Sequence, residues 1–324
     1  WPATGSAGHP RLPLKQLPRS VRGLQRWRYW LPWRRRIQAY RPPAVYERRM
    51  SGLFTVQLSG HLASYEAAFD TVQQHYWLMA KPVQAELVAT SVGDGIQASP
   101  KAWSFSGDTW QTFDDHIRRS IPFYDQLHEL IVGYACEFAR HDGWLYELGC
   151  STGNLSQRLS LACPTARVCG IDAEPAMVAK AQKVRRANLE YHCADIRAFS
   201  FTHSALKTDL VVLCYTLQFL PVNDRLPLLR RIHAALRPGG ALVLAEKVKR
   251  QDKEFEDLCR RVHHHFKRQQ GYTDAEIDAK DRSLEGVLVP LFEEENIGLL
   301  HQAGFRLVNS VFHNTAFEAW LAVK

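Results

Sequence analysis

Between Phe113 and the C-terminus, two patterns of hydrophobic and polar positions alternate along the chain. Short continuous apolar runs are followed by longer segments in which apolar residues recur every three or four positions. The first pattern is typical of strands buried on both faces, and the second is typical of amphipathic helices. This alternation predicts an α/β fold in which a mostly parallel sheet carries helices on both faces.

The predicted elements follow one another closely. Helices are expected from Phe113 to Ser120, from Tyr124 to Arg140 after a break at Pro122, and in the segments "NLSQRLSLA", "PAMVAKAQKVRR" and "NDRLPLLRRIHAAL". Strands are expected in "GWLYELG", "ARVCGID", "LEYHCADI", "TDLVVLCYT" and "ALVLAEKV", the last after a turn at "RPGG". Pro175 suits the first turn of its helix, where its missing N–H costs nothing.

The turn after the first predicted strand has the composition of a ligand-binding loop. It runs from Gly149 to Gly153 and reads "GCSTG". Glycines let a ligand approach the backbone closely, but the turn lacks the third glycine of the dinucleotide-binding fingerprint. A pyrophosphate would also want an anion-binding helix start. The form Glu147-x-Gly-x-x-x-Gly favours S-adenosylmethionine, which brings an amino acid rather than phosphates to this position.

Two acidic residues stand at the ends of the next two predicted strands. Asp172 ends the second strand roughly 20 residues after the first, the usual place for an acid that accepts hydrogen bonds from ribose hydroxyls. Asp195 follows the third strand and is expected at the adenine edge. A purely structural turn is the alternative, but the turn and both acids occur together at the expected spacings.

The positive charge of the chain is concentrated near its beginning. The whole chain has a net charge of +8, yet residues 1–50 contain eleven arginines and Lys15 against the single acid Glu47, so the remainder is net acidic. The stretch "RWRYWLPWRRR" could bind nucleic acid or an anionic membrane surface. It lacks the apolar core of a secretory signal. A mitochondrial presequence is a further alternative, although no clean amphipathic period supports it.

These shifts predict three segments. Residues 1–78 are expected to be a basic extension rich in Arg, Trp and Pro, non-native or disordered, with a basic binding arm as the alternative. Residues 79–102 are a lead-in, and residues 103–324 form the catalytic domain. No apolar run approaches the roughly 18 residues of a membrane span. Seven cysteines without a CxxC pair suit a reducing, cytoplasmic location.

From Trp103 onward the chain resembles the carboxy-S-adenosyl-L-methionine synthases. The matching stretches are "RRSIPFY", "ELGCSTGN", "ADIRAF", "YTLQFL", "LRPGGALVLAEK", "HHHFKRQQGY" and "DRSLEGVL". The last two lie outside the generic cofactor-binding fold, which makes the resemblance specific. It implies a Rossmann-like class I methyltransferase fold, with a mostly parallel seven-stranded sheet, helices on both faces and an inserted helical lid.

The resemblance also implies a reaction. Synthases of this family transfer a carboxyl group from prephenate to the methyl carbon of S-adenosyl-L-methionine and release phenylpyruvate. The product, carboxy-S-adenosyl-L-methionine, is the carboxymethyl donor for 5-oxyacetyluridine at the tRNA wobble position. Implied partners are a second copy in a homodimer and a tRNA carboxymethyltransferase. Direct nucleic-acid binding by the catalytic domain, membrane association and a metal are not expected.

The family's functional positions can be carried onto this sequence. Arg282 is the expected catalytic residue and grips the added carboxylate, because a guanidinium offers two parallel donors; a solvated helix residue is the alternative. The expected cofactor-binding residues are Tyr124, Gly149, Cys150, Ser151, Asp172, Ala173, Asp195, Ile196, Cys214 and Arg282.

One position departs from the family pattern. Cys214 stands where the family has an asparagine that helps to bind the cofactor, and a thiol is a much weaker hydrogen-bond donor. Two other functions therefore stay open: an ordinary methyltransferase of a small molecule, and a non-catalytic protein that binds S-adenosylmethionine or RNA. The run His263 to His265 is not expected to bind metal, because consecutive helix positions point in different directions.

Overall fold

The computed structural model describes residues 90–201 and 208–324, which fall within one compact unit. The predicted extension 1–78, and residues 79–89 of the predicted lead-in, lie outside the described residues. No helix in the described ranges is long and apolar enough to cross a bilayer.

Strands and helices alternate through the centre of the described chain. The strands are β1 (Thr90–Ser91), β2 (Gln97–Ala98), β3 (Trp144–Leu148), β4 (Arg167–Asp172), β5 (Leu189–Cys193), β6 (Thr208–Cys214), β7 (Leu236–Lys249), β8 (Leu291–Phe292), β9 (Leu307–Asn314) and β10 (Phe317–Val323). The helices are α1 (Thr109–Ser120), α2 (Tyr124–Phe138), α3 (Asn154–Ala162), α4 (Pro175–Ala181), α5 (Val222–Ala235), α6 (Lys253–Gln269), α7 (Asp274–Leu284) and α8 (Glu293–Ala303).

The main sheet has the strand order β5-β4-β3-β6-β7-β10-β9, and the short strand β8 pairs with β7. The five strands from β5 to β7 are parallel neighbours, while β10 is antiparallel to both β7 and β9. The predicted mostly parallel sheet is confirmed. The strand order reverses between β3 and β6, and ligands of open α/β sheets bind at the carboxyl ends of strands beside such a reversal.

Hydrophobic side chains fill both faces of the sheet. Along β3, Tyr146 and Leu148 pack with α5 residues on one face, whereas Leu145 packs with α2 and α3 residues on the other. Every residue of β3 is buried. A central strand covered on both sides needs apolar residues at consecutive positions, which explains the continuous runs in the sequence.

A few boundaries differ from the prediction. The predicted α3 segment is confirmed, whereas α1 begins earlier, at Thr109, and α4 ends at Ala181 rather than continuing to Arg186. The "RPGG" segment lies within β7, where the β6–β7 pairing is irregular and Gly239 has a φ of 73°. A Cβ atom would be strained in this left-handed backbone conformation, which explains why glycine occurs at the irregularity.

Helices α6 and α7 form the inserted lid, between β7 and β8 in the sequence. The lid joins the segment that precedes α1. A small hydrophobic cluster contains Ala279 of α7 together with Val92, Ile96, Ala98 and Trp103. Residues 90–102 of the predicted lead-in therefore pack against the lid.

Candidate active site

A cavity of about 350 Å³ opens at the carboxyl ends of the central strands and extends under the lid. Nine of the ten predicted site residues line it: Tyr124, Gly149, Cys150, Ser151, Asp172, Ala173, Asp195, Ile196 and Cys214. The fold thus brings together residues that are spread over nearly one hundred positions of the sequence.

The turn between β3 and α3 depends on its two glycines. Gly149 and Gly153 both have a φ of 81°, which L-residues rarely adopt. A Cβ on Gly149 would also overlap the side chain of Thr216, and a Cβ on Gly153 would overlap the ring of Tyr191. The turn can therefore keep this backbone conformation only with glycine at both positions.

Asp172, the last residue of β4, holds the turn in place. Its two carboxylate oxygens accept hydrogen bonds from the backbone N–H groups of Ser151, at 2.8 Å, and Glu174, at 2.9 Å. Burial raises the pKa of this carboxyl, while the backbone donors oppose the shift. Each carboxylate oxygen keeps a further lone pair for a ligand hydroxyl.

Asp195, after β5, forms a two-pronged ion pair with Arg197, whose Nη2 lies 2.6 Å from Asp195 Oδ2 and whose Nε lies 3.1 Å from Oδ1. Arg197 Nη1 also contacts Asp224 at 3.2 Å. Arg197 itself lines the cavity. The carboxylate expected at the adenine edge is therefore paired with the guanidinium of Arg197. The sequence analysis did not single out this arginine.

Asp114 of α1 is a second acidic residue that the sequence analysis missed. One carboxylate oxygen accepts hydrogen bonds from the Thr152 hydroxyl and, at 2.9 Å, from the Asn154 amide. The other accepts from Lys180 Nζ at 2.8 Å. Asp114 therefore ties α1 to the glycine turn and to α4. Nothing in the local sequence pattern indicates this contact, because its partners lie far away along the chain.

Three titratable groups at the turn end of the cavity are held in the neutral form by burial. Burial raises the pKa of Glu147 to about 8, despite a hydrogen bond from the Ser156 hydroxyl. It raises the pKa of the Cys214 thiol and the Tyr124 hydroxyl well above their usual values. Cys214 is therefore a thiol and not a thiolate, and it offers a ligand only a weak donor.

Arg282 is the one predicted site residue that does not line the cavity. It is exposed on α7, and its carbonyl oxygen accepts a hydrogen bond from Lys101 N at 2.8 Å. The preceding residues, Lys280 and Asp281, line the cavity instead. The contact of Arg282 with an added carboxylate stays a prediction.

Two of the three consecutive histidines of α6, His263 and His264, have separate partners. His263 Nε2 lies 2.8 Å from the carbonyl oxygen of Ser120, and His264 Nε2 lies 2.8 Å from Asp281 Oδ2. The two rings reach different neighbours, because consecutive helix positions point in different directions.

The lid end of the cavity is lined by three lysines that the sequence analysis did not single out: Lys247, Lys267 and Lys280. Two of them lie within stretches shared with the resembled family, "AEK" and "FKRQQGY". The helical spacing of Ile277, Lys280 and Leu284 would have placed Lys280 on the inner face of α7.

Comparison with known proteins agrees with this architecture. A family profile described as "Methyltransferase domain" matches residues 145–240, from β3 to the beginning of β7. A carboxy-S-adenosyl-L-methionine synthase of Photorhabdus laumondii is 34% identical over 238 residues, which cover 71% of this chain and 94% of that protein. The synthase of Chromohalobacter salexigens is 34% identical over 251 residues, 76% of this chain and 92% of that protein.

The synthase of Helicobacter hepaticus is 35% identical over 233 residues, with 69% of this chain and 95% of that protein covered. The chain belongs to the carboxy-S-adenosyl-L-methionine synthase family. The resemblance predicted from the sequence is therefore confirmed. The match to the carboxy-S-adenosyl-L-methionine synthases covers nearly the whole length of each relative, so it includes the lid as well as the cofactor-binding fold.

Proposed function

We propose that this chain converts S-adenosyl-L-methionine and prephenate to carboxy-S-adenosyl-L-methionine and phenylpyruvate. Family membership supports the proposal, and one structural observation carries it. A single cavity has an acidic end, with Asp172 and with Asp195 paired to Arg197, and a basic end formed by the lid lysines. A sulfonium cation with ribose hydroxyls complements the first end, and a dicarboxylate complements the second.

The acidic end fits S-adenosyl-L-methionine. The free lone pairs of Asp172 would accept hydrogen bonds from the ribose, and the backbone of the glycine turn would receive the amino-acid part. Ile196 is a buried apolar wall beside Asp195, where the adenine would lie. Because the Asp172 carboxylate brings negative charge to this end, a pyrophosphate would be repelled there, whereas a sulfonium would not.

The reaction needs a place that keeps water out and holds negative charge. Prephenate would lose carbon dioxide and hydroxide, the hydroxide would take a proton from the sulfonium methyl group, and the methyl carbon would capture the carbon dioxide. Water and phenylpyruvate are the other products. The apolar walls of the cavity would limit the loss of carbon dioxide to solvent, and its lysines would hold the carboxylates.

The decisive test is turnover with defined substrates. Purified protein incubated with S-adenosyl-L-methionine and prephenate should form phenylpyruvate, and mass spectrometry should detect carboxy-S-adenosyl-L-methionine in equal amount. Formation of S-adenosylhomocysteine with a methylated small molecule would support an ordinary methyltransferase instead. Binding of S-adenosyl-L-methionine without any turnover would support a non-catalytic binding protein.

We further propose a homodimer, supported by an apolar stripe on α6. Phe255, Leu258 and Val262 follow one another at helical spacing and are 50%, 45% and 44% exposed. Light scattering should give a dimer mass for the wild type and a monomer mass for Leu258→Glu. A monomeric wild type would contradict the homodimer.

We also propose that a tRNA carboxymethyltransferase consumes the product, which would place the protein in the cytoplasm.

A further inference from the structure

Three lysines from three different elements meet at the lid end of the cavity. Lys247 comes from the end of β7, Lys267 from α6 and Lys280 from α7. Lys267 and Lys280 are only 5% and 7% exposed. Taking an ammonium ion out of water is costly unless an anion pairs with it, so a group of buried lysines needs an explanation.

The acid present there does not balance this charge. Asp281 Oδ1 lies 3.8 Å from Lys267 Nζ, while its other oxygen contacts His264. The Lys280 ammonium lies over the indole ring of Trp103. Among residues 90–201 and 208–324, no carboxylate lies within ion-pair distance of Lys280. One carboxylate thus faces three lysines.

The other charged groups beside Lys280 already form ion pairs with one another. Asp94 contacts His116 Nδ1 at 2.7 Å, and it also accepts from Arg119 and the Tyr272 hydroxyl. Its negative charge is shared by these three partners. Asp94 therefore cannot serve as the full counterion of Lys280.

Apolar side chains complete this part of the cavity. Trp103, Phe105, Leu284 and Leu288 line it beside the lysines. A ligand that fits here combines an apolar ring with more than one negative charge. Prephenate has a six-membered carbon ring and two carboxylates.

We propose that Lys247, Lys267 and Lys280 form a subsite that holds the two carboxylates of the carboxyl donor. This inference rests on the proposed function, because it takes prephenate as the donor. It assigns the recognition of this substrate to the lid and to the end of β7. When all three amines are protonated, Asp281 leaves two ammonium charges unbalanced, which match the two negative charges of a dicarboxylate.

A measurable consequence concerns protons. Burial lowers the pKa of Lys267 to about 8, and burial together with the nearby Lys267 lowers the pKa of Lys280 well below its usual value. Asp281 and Asp94 oppose the second shift, but only in part. A bound dianion favours the charged amines, so its binding should take up protons from the buffer.

The test is calorimetric titration of prephenate into protein saturated with S-adenosylhomocysteine, which has no methyl group and cannot react. Lys280→Met and Lys267→Met should each weaken prephenate binding by roughly 10- to 100-fold, the usual effect of losing a hydrogen bond to a charged group. Lys253→Met, which removes an exposed lysine of α6, is the matched control and should bind as the wild type does.

Two further readouts separate binding from a structural role. Affinity for S-adenosylhomocysteine and the unfolding midpoint should not fall in Lys280→Met, because an apolar side chain of similar length replaces a buried amine. Titrations in buffers of different ionisation enthalpy should show proton uptake in the wild type and less uptake in Lys280→Met. Lys280→Arg should keep much of the affinity, because it keeps the charge.

The outcomes distinguish the subsite from the proposed reaction. The subsite is wrong if the wild type does not bind prephenate, or if both methionine variants bind it unchanged. If the wild type binds prephenate through the lysines yet forms no phenylpyruvate, the subsite is supported and the proposed reaction is contradicted. If the wild type converts prephenate and the variants have the same KM for prephenate, the reaction is supported and the subsite is contradicted.

Discussion

At the residue scale, α7 shows how the rotation of a helix decides which side chain reaches the cavity. Each step along a helix turns the side chain by about 100°. Lys280, Asp281 and Leu284 line the cavity, whereas Arg282 is exposed. The sequence motif pointed to a helix that lines the cavity, but motif similarity alone did not indicate which of its side chains face the cavity. The positions of Ile277 and Leu284 were the available signal.

Asp172 carries the first prediction. Asp172→Asn keeps one acceptor for the backbone of the turn but removes the negative charge that would face the ribose. Affinity for S-adenosyl-L-methionine should fall roughly 10- to 100-fold, as expected for one weakened hydrogen bond to a charged group. Calorimetry gives the affinity, and Asp142→Asn at an exposed position is the matched control. Unchanged affinity would mean that the ribose does not lie at Asp172.

At the element scale, periodicity predicted the central strands and helices well, because a covered sheet requires continuous apolar runs. It overextended α4, which ends at Ala181 because the chain must turn back before β5 begins at Leu189. It also gave no sign of the contacts of Asp114 with the glycine turn and Asn154. Such contacts depend on how elements pack in space, which local spacing does not encode.

The glycine turn carries the second prediction. Gly149→Ala should reduce stability and abolish cofactor binding, because the new Cβ would overlap Thr216 in a left-handed backbone. Gly107→Ala is the matched control, since Gly107 has a φ of 69° with open space around it. The control isolates the backbone strain, about 1–2 kcal/mol. Urea unfolding and calorimetry should show a clearly larger loss for Gly149→Ala; equal losses would contradict the steric argument.

At the scale of the whole molecule, burial shifts the pKa values of several interior groups in the direction that favours their neutral forms. Burial raises the pKa of Glu246 to about 8, although Leu217 N donates to it at 3.0 Å. Burial also lowers the pKa of His128 and His263 to about 3. Protonation of the two histidines in the unfolded chain lowers the free energy of unfolding as the pH falls below about 6.5. Ionisation of Glu246 in the unfolded chain lowers it as the pH rises above about 4.5.

Glu246→Gln carries the third prediction. The folded-state pKa of Glu246 lies above its unfolded value, so its contribution to stability is fully present below about pH 4.5 and is lost as the pH rises to about 8. The variant should therefore gain stability relative to the wild type by up to about 1.4 kcal/mol per pH unit across this window. Urea unfolding from pH 5 to pH 8 measures the difference. Glu254→Gln, at an exposed position, should show no such trend, and a constant difference for Glu246→Gln would refute the assignment.

Helix α1 is a common wall of both ends of the cavity. Asp114 holds the glycine turn, and Arg119 near the other end of α1 donates to the carbonyl oxygen of Gln270, just after α6. A helix already immobilised by one substrate loses less conformational entropy when the second substrate arrives. The two substrates should therefore bind with positive cooperativity. By reciprocity, each must raise the affinity of the other by the same factor. S-adenosylhomocysteine and prephenate titrated in either order would reveal this factor, and independent affinities would show that α1 does not couple the two ends.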